Sequence, residues 1–248
     1  MSQLLELIGV RKTFGNNLVL EDISLKFPKG SATVIIGASG SGKSTLMRSI
    51  NLLEELSDGQ ILLEGSDISA YGVNLDSVRG KIGSVFQAFN LFPHLTVLEN
   101  ITLAPRLVQK KSREEATTIA LALLTRFGLE DKAGAYPNLL SGGQQQRVAI
   151  LRAIATEPKV LLLDEVTSAL DPVLIAEVLS LIAELKADGI TMIISTHEMG
   201  FAKKIADSVV FLSAGKVCES GSPSDIFDNP KSPELRNFLS ALHDAGRL

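Results

Sequence analysis

Residues 37–45 read Gly-Ala-Ser-Gly-Ser-Gly-Lys-Ser-Thr, which matches the pattern G-x-x-x-x-G-K-[ST] at every fixed position. The apolar run Ala32–Ile36 before this stretch predicts a buried strand, and Leu46–Ile50 after it predicts a helix. Between a strand and a helix, the glycines let backbone N–H groups converge on phosphate oxygens, and the helix N-terminus adds partial positive charge. The stretch therefore predicts an α/β fold that binds a nucleoside triphosphate.

Two side chains in this stretch carry the chemistry of phosphate binding. We expect Lys43 to reach the β- and γ-phosphates and the Ser44 hydroxyl to ligate Mg²⁺. The alternative is a Gly/Ser-rich turn without a ligand, which the flanking strand and helix disfavour. The predicted nucleotide-binding residues of this stretch are Gly37, Ala38, Ser39, Gly40, Ser41, Gly42, Lys43, Ser44 and Thr45.

Length and composition limit the possible classes of protein. A chain of 248 residues can form one large or two small domains, and its aliphatic content suits a globular α/β protein. The net charge of −4 gives no reason to expect nucleic acid as a partner. The single cysteine, Cys218, excludes an internal disulfide and fits a reducing compartment. We expect neither a signal peptide nor a membrane span, so other chains would have to hold this one at a membrane.

Apolar patterning predicts strands at both ends of the chain and a helical region between them. Leu5–Val10 and Val19–Phe27 alternate around a turn and predict a hairpin, whereas residues 88–137 change in character and predict inserted helices, with one over Glu114–Phe127. The alternation of strands and helices elsewhere implies a mainly parallel sheet with helices on both faces. The other predicted strands are Gln60–Glu64, Ile82–Phe86, Val160–Leu163, Met192–Ser195 and Val209–Leu212.

Two carboxylates follow the predicted strand Val160–Leu163. Ligands of nucleotide-binding sheets lie at the carboxyl ends of the strands, where Asp164 and Glu165 would stand. We expect Asp164 to hold Mg²⁺ through water and Glu165 to polarise the attacking water. Acidic strand ends are common in proteins without such a role, but a phosphate loop in the same chain favours the functional interpretation.

A second glycine motif, Leu-Ser-Gly-Gly-Gln at residues 140–144, precedes a predicted helix over Gln145–Ala155. Backbone N–H groups and a serine hydroxyl at a helix N-terminus could contact phosphate, although no lysine is present to neutralise it. An ordinary helix cap is the alternative interpretation. The candidate residues are Ser141, Gly142, Gly143 and Gln144.

These motifs, taken in order, resemble the nucleotide-binding subunit of an ATP-binding cassette (ABC) transporter over essentially the whole chain. The elements that carry the resemblance are the phosphate loop, Gln87, residues 140–144, Leu161–Glu165, Ser168-Ala169-Leu170-Asp171 and His197. The resemblance implies a P-loop NTPase (RecA-like) parallel-sheet core with an N-terminal antiparallel β subdomain and an inserted α-helical subdomain. It places these in a single domain, 1–248, with the core at about 1–87 and 157–222, the helical subdomain at 88–156 and a helical tail at 223–248.

The resemblance also implies a head-to-tail pair of chains that sandwiches each ATP. The phosphate loop of one chain would hold the phosphates, and Ser141 to Gln144 of the second chain would close over them. In the family, Gln87 would sense Mg²⁺ and water, His197 would contact the γ-phosphate, and Asp171 would lie at the dimer interface. Phe14 stands where the family places an aromatic that stacks on adenine, often Tyr, and Val19 would line the ribose.

Two segments, Phe89–Asn100 and Thr196–Ala202, resemble the subfamily that imports polar amino acids. The first implies a docking surface for a membrane permease near Gln87–Asn100, although its aromatics could instead be the core of the helical subdomain. A solute-binding protein would then take part indirectly, and the chain would be peripheral at the cytoplasmic face of the inner membrane. The sequence departs from the family at Ala38 and Val166, where Pro is common, and neither change removes a catalytic group.

Other functions remain open at this point. An exporter or lipoprotein-release ATPase would share the same motifs, but its members commonly have Gly-Asn-Leu-Asp where this chain has Ser-Ala-Leu-Asp at 168–171. A non-transport cassette protein acting on ribosomes or DNA usually has two cassettes or a long coiled coil, and this chain shows neither. The intact pair Asp164 and Glu165 argues for ATP turnover rather than regulatory binding alone.

Overall fold

The computed structural model of the chain describes residues 3–168 and 170–244, so Ala169 of the predicted 168–171 motif and the last four residues of the predicted tail lie outside the described residues. The chain divides into two units. Unit 1 comprises the chain up to Leu75 and from Lys186 onward, and unit 2 runs from Asp76 to Leu185. The predicted subdivision, with its helical subdomain at 88–156, stays a prediction.

Unit 1 contains most of the strands. Its elements in the first stretch are β1 (Gln3–Phe14), β2 (Asn17–Pro28), β3 (Ala32–Ile36), α1 (Lys43–Ile50), β4 (Asp58–Leu63) and β5 (Ser66–Asp67). Its elements in the second stretch are β8 (Thr191–Ser195), α7 (Met199–Ile205), β9 (Ser208–Ser213), β10 (Lys216–Gly221), α8 (Pro223–Phe227) and α9 (Pro233–Asp244).

The predicted N-terminal hairpin is confirmed. β1 and β2 pair antiparallel, and β4 joins the other edge of β1 to give the sheet order β2-β1-β4-β5. Both hairpin strands are longer than predicted, because the alternation of buried and exposed side chains continues through polar residues such as Lys12, which is buried. The predicted strand at 60–64 ends at Leu63, since Glu64 has a positive φ of 53° and starts a turn.

Four other strands of unit 1 lie side by side in the order β10-β9-β3-β8. β3 pairs parallel with both β8 and β9, and all five of its residues are buried, which is why its sequence is continuously apolar rather than alternating. The backbone N–H of Ala32 donates to Asp207 Oδ2 at 2.8 Å and thereby fixes the start of the strand. The carboxyl ends of β3, β8 and β9 lie at one edge of the sheet.

Unit 2 combines a parallel strand pair with helices. Its elements are α2 (Leu75–Arg79), β6 (Ile82–Val85), α3 (Val97–Leu107), α4 (Arg113–Arg126), α5 (Gly142–Ile154), β7 (Val160–Asp164) and α6 (Pro172–Ala187). β6 pairs parallel with β7, and α3 packs against α4 and α5. Within the described residues of the whole chain, no helix is long and apolar enough to cross a membrane.

Helix α3 is an element that the sequence patterning did not predict. Pro105 suggests a helix breaker, but it lies in the last turn of α3, where little helix remains to be broken. The start of α3 is well specified: the Thr96 hydroxyl accepts the backbone N–H of Glu99, and the Glu99 carboxylate accepts that of Thr96.

Candidate functional site

The loop at residues 37–45 connects β3 to α1, and two of its glycines, Gly37 and Gly42, leave no room for a side chain. A Cβ on Gly37 would overlap the carbonyl oxygen of Leu212 in β9. A Cβ on Gly42, which has a φ of 104°, would lie 2.9 Å from Leu20 Cδ2 in β2. Any side chain would therefore push the loop away from the strands on which it rests.

The interior of this loop carries features that fit a phosphate group. Lys43 is buried, and its Nζ donates to the carbonyl oxygens of Gly37 at 3.0 Å and Ala38 at 3.2 Å. The Ser41 hydroxyl is buried without a hydrogen-bond partner. Helix α1 begins at Lys43 with no side-chain cap and no acidic residue in its first turn, so no residue of that turn opposes its positive dipole end. A cation, an unpaired hydroxyl and an uncapped helix N-terminus are the donor set that an anion requires.

The other predicted nucleotide contacts of unit 1 lie on neighbouring elements. The carbonyl of Val19 would be 3.1 Å from a Cβ on Gly42, so Val19 abuts the phosphate loop. His197 follows β8, whose Ser195 pairs with Ile35, and His197 therefore lies at the sheet edge where Gly37 begins the loop. Phe14 ends β1 with 45% of its surface exposed.

Unit 2 brings Gln87 and the two predicted carboxylates to one edge of its strand pair. Val85 pairs with Leu163, so Gln87, two residues after β6, lies at the same edge as Asp164, the last residue of β7. Asp164 is buried, whereas Gln87 is exposed. The predicted Mg²⁺ ligands are Ser44, Asp164 and Gln87. Their side chains carry hard oxygen donors, which are the ligands that Mg²⁺ prefers.

Glu165 stands in a backbone conformation that glutamate rarely adopts, with a positive φ of 49°. The backbone N–H of Ser168 donates to the Glu165 carbonyl at 3.1 Å, and the Ser168 hydroxyl donates to the same oxygen at 2.9 Å. These bonds close a tight turn immediately after β7. The chain therefore changes direction sharply at Glu165, the residue predicted to polarise water.

The 141–144 motif forms the first turn of α5 and satisfies its own helix cap. Gln144 donates its backbone N–H to Ser141 Oγ at 3.2 Å, and Ser141 donates its N–H to Gln144 Oε1 at 3.0 Å. The ordinary helix cap, which was the alternative interpretation of this motif, is therefore present. In this cap the Ser141 hydroxyl acts only as an acceptor, so its own proton remains available to another group.

The two glycines of this motif pack closely within the same chain, and the space at Gly143 is the tighter one. A Cβ on Gly142 would lie 3.3 Å from Leu170 Cδ2, and one on Gly143 would lie 2.9 Å from Leu174 Cδ2. Asp171 caps α6 in turn, because its Oδ1 accepts the N–H groups of Val173 at 3.0 Å and Leu174 at 3.1 Å. The motif thus packs against the segment that follows Glu165, a contact that the sequence pattern did not reveal.

Comparison with known proteins gives this geometry a family. A family model described as "ABC transporter" matches residues 20–168, which is more than half of the chain. The chain belongs to the ABC transporter family. The predicted family, the α/β P-loop fold and the class of ATP-hydrolysing transport subunit are confirmed by these comparisons.

Individual ABC transporter proteins are similar to the chain over nearly its full length. The glutamate transport ATP-binding protein GluA of Corynebacterium glutamicum is 48% identical, covering 96% of this chain and 99% of that protein. The glutamine transport ATP-binding protein GlnQ of Bacillus subtilis is 50% identical, covering 94% of this chain and 97% of that protein. An ATP-binding cassette solved as a dimer in a post-hydrolysis state with ADP and Pi is 34% identical with a TM-score of 0.79, covering 89% of this chain and 99% of that one.

The segment Gln87–Asn100 of this ABC transporter chain is partly scaffold and partly exposed. Asn100 is fully buried, and its amide bonds the backbone of Phe92, Leu95 and Thr96. Arg152 of α5 donates to the carbonyl oxygens of Asn90 at 2.7 Å and Phe89 at 3.3 Å, and burial lowers the pKa of its guanidinium. Phe92 remains exposed. Asn100 and Arg152 thus hold the backbone of this segment in place, whereas Phe92 forms part of its exposed surface.

Proposed function

We propose that this ABC transporter chain is the ATP-hydrolysing subunit of a bacterial importer for polar amino acids. The observation that carries the proposal is near-half identity, over more than nine-tenths of the chain, with proteins named for glutamate and glutamine transport. The phosphate loop supports the ATP-dependent part independently, because its buried lysine, unpaired Ser41 hydroxyl and uncapped helix suit a triphosphate.

In unit 1, the proposed roles follow from the charges and donors around the loop. Lys43 exchanges its two loop carbonyl partners for the β- and γ-phosphate oxygens, which are stronger acceptors because they are charged. The Ser41 hydroxyl gains a hydrogen-bond partner from the bound phosphates. His197 contacts the γ-phosphate, Val19 lines the ribose, and Phe14 stacks on the adenine.

In unit 2, Glu165 is proposed as the group that polarises the attacking water. Its backbone is held by the Ser168 turn, so the carboxylate starts from a fixed main chain. Asp164 and Gln87 are the residues of this unit that are proposed to hold Mg²⁺. A Mg²⁺ ion held there would supply positive charge beside the phosphates.

A second copy of the chain is proposed to complete each ATP site with its own residues 141–144. The proton of the Ser141 hydroxyl is not used by the helix cap and can be donated to phosphate. The motif is flanked by two apolar side chains that are largely exposed, Leu139 at 69% and Val173 at 73%. Exposed apolar side chains beside an anion-binding helix N-terminus are suited to burial against a partner, and Asp171 would lie at the same interface.

The proposed importer also includes membrane permease subunits and, indirectly, a solute-binding protein. Exposed Phe92 and half-buried Phe89 give the segment Gln87–Asn100 an apolar surface suitable for docking a permease. The chain would act as a peripheral subunit at the cytoplasmic face of the cell membrane. The cargo would be selected by the permease and the solute-binding protein.

The variant Glu165→Gln tests this proposal. The amide keeps the size of the side chain but cannot act as a base, so we expect ATP hydrolysis by the purified chain to fall at least about a hundredfold while ATP still binds. ATP should then trap a dimer, measured by analytical ultracentrifugation. Cells that carry this variant in place of the parent should lose uptake of radiolabelled glutamate, glutamine or arginine.

Glu157→Gln is the matched control. Glu157 is a glutamate of the same unit that also has a positive φ, 51°, but it pairs on the surface with Lys111 at 3.7 Å. We expect it to hydrolyse ATP and to support uptake at the parent rate. Hydrolysis by Glu165→Gln at the parent rate would contradict the role of Glu165, and loss of hydrolysis without loss of any amino acid uptake would contradict the cargo class.

A further inference from the structure

Lys12 is a buried cation on β1, two residues before Phe14. Its side chain is only 11% exposed, and its Nζ forms an ion pair with Glu54 Oε2 at 3.3 Å. The same Nζ donates to the carbonyl oxygen of Glu55 at 2.7 Å. A buried ammonium requires partners that offset the cost of its desolvation.

The partners of Lys12 follow directly on the helix that starts at the phosphate loop. The backbone N–H groups of Leu53 and Glu54 both donate to the Arg48 carbonyl in the last turn of α1, at 2.9 and 3.0 Å. The position of Glu54 is therefore set by α1. Through Glu54 and Glu55, Lys12 is anchored to the end of the helix whose first turn presents Lys43 and Ser44.

A second set of contacts fixes the same part of β1. The backbone N–H of Thr13 donates to Ser57 Oγ at 3.0 Å, and the N–H of Ser57 donates to the Arg11 carbonyl at 2.9 Å. The segment after α1 thus lies along residues 11–13 of β1. Phe14 is the next residue, and its side chain is the first one beyond this anchored stretch.

The ammonium of Lys12 lies over the ring of Phe14, with Nζ 4.6 Å from the ring centroid. A cation at this distance from an aromatic face is attracted by the ring quadrupole, and the attraction is stronger when the cation is desolvated, as it is here. The ring nevertheless keeps 45% of its surface exposed. One side of Phe14 is therefore held by a cation while the ring remains accessible to a planar ligand.

We infer that Lys12 is a positioning residue for the base of the nucleotide: it holds Phe14 in the orientation that stacks on adenine and ties that ring to helix α1. The inference rests on the proposed stacking of Phe14 on adenine. Lys12 acts through Phe14 and does not itself contact the nucleotide. Affinity for the base therefore depends on the charge of Lys12, whereas affinity for the phosphates does not.

The test compares a ligand with a base and a ligand without one. Dissociation constants of the purified chain for ATP and for inorganic tripolyphosphate, both with Mg²⁺, are measured by isothermal titration calorimetry. For Lys12→Met, which keeps the length and apolar stem of the side chain, we expect the constant for ATP to rise about three- to tenfold. The constant for tripolyphosphate should not change. Lys12→Arg should restore ATP binding, because arginine keeps the charge and also stacks on aromatic faces.

Two control variants separate positioning from general damage. Lys26→Met removes a lysine of the same sheet that pairs with Glu6 at 3.6 Å, and we expect it to leave both constants unchanged. In the background of Phe14→Leu, Lys12→Met should add no further loss of ATP affinity, since the two residues act as one unit. If thermal unfolding shows that Lys12→Met does not fold, Glu54→Gln is tested instead. This variant removes one anchor of Lys12. We expect it to raise the dissociation constant for ATP by a smaller factor and to leave that for tripolyphosphate unchanged.

Three outcomes would overturn the inference. An equal loss of ATP and tripolyphosphate affinity would place the effect of Lys12 on the phosphate loop. Unchanged ATP affinity in Lys12→Met, with weakened affinity in Phe14→Leu, would show that Phe14 needs no support and would leave the proposed stacking intact. Unchanged ATP affinity in Phe14→Leu would remove the stacking itself and the inference with it.

Discussion

Glu165, the residue proposed to polarise water, has a backbone conformation that lowers local stability. A non-glycine residue in the left-handed region costs on the order of 1–3 kcal/mol, and such residues concentrate at functional sites. Here the conformation is held by both donors of Ser168 on the Glu165 carbonyl. In the phosphate loop, Lys43 is likewise held in place: its ammonium is buried and donates to loop carbonyl oxygens.

Replacing Lys43 tests the phosphate loop at the scale of one residue. Lys43→Ala removes the buried ammonium and with it the charged hydrogen bonds proposed to the β- and γ-phosphates. Such bonds contribute about 1.5–3 kcal/mol each, so we expect the dissociation constant for ATP to rise at least about tenfold. Equilibrium binding of a fluorescent ATP analogue measures it. Lys203→Ala, which removes an exposed ion pair with Asp228, is the control and should bind ATP as the parent does.

Helix α5 is the element that links several candidate functions. Its first turn carries residues 141–144, its two glycines pack on Leu170 and Leu174, and its Arg152 holds the carbonyls of Phe89 and Asn90. One rigid helix therefore contacts the segment after Glu165 and the segment after Gln87 within unit 2. Gly142 and Gly143 belong to this packing as much as to any contact with phosphate.

Adding one methyl group to α5 tests this double role. In Gly143→Ala the new Cβ would lie 2.9 Å from Leu174 Cδ2 and 3.0 Å from Leu174 Cβ, so α6 has to shift. We expect unfolding free energy to fall by about 1–3 kcal/mol, the usual cost of overpacking, together with ATPase activity. Urea denaturation followed by circular dichroism measures the unfolding free energy. Gly200→Ala in α7 is matched to it: nothing lies within 4 Å of its Cβ, and we expect unchanged or slightly higher stability. A fully stable Gly143→Ala would contradict the packing argument.

Across the whole molecule, hydrogen-bonded carboxylates make stability depend on pH. For Glu219, burial alone would raise the pKa, but the N–H groups of Lys231 and Ser232 and the Ser232 hydroxyl outweigh it and lower the pKa below its usual 4.5. These bonds hold the start of α9 to β10. Carboxylates whose pKa is lowered by bonds from a helix cap are Glu99, Glu115 and Asp225, and the Lys132 ammonium lowers that of Asp131.

The sign of this dependence follows from the direction of the shifts. A carboxylate with a lowered pKa in the folded state adds stability above its unfolded pKa, and that stability is lost as the pH falls through its folded pKa. We expect the urea midpoint to be level above about pH 5 and to fall between about pH 5 and 3. Glu219→Gln should lower the midpoint at pH 7 and flatten the acid slope. A slope identical to that of the parent would show that Glu219 does not contribute.

Secondary-structure elements that depend on residues close together in the sequence could be predicted from it. The strand before the phosphate loop, the hairpin and the strand that ends at Asp164 follow from apolar runs and turns of a few residues, and the structure confirms them. Helix α3 was not predicted, because Pro105 suggests a breaker and only its place in the last turn makes it tolerable. Helix α5 begins earlier than predicted, at Gly142, because the Ser141 cap makes the glycines its first turn.

The sequence by itself determined the chemistry of residues 37–45, since a loop of nine consecutive residues places its own donors, and it determined the family through the order of its motifs. Only the tertiary structure decided that Gly143 packs on Leu174, and that Lys12 lies over Phe14 while bonded to Glu54 and Glu55. The physical reason is distance along the chain. A local pattern specifies backbone geometry over one turn or strand, whereas packing and ion pairs join residues that are brought together only when the sheet and helices assemble.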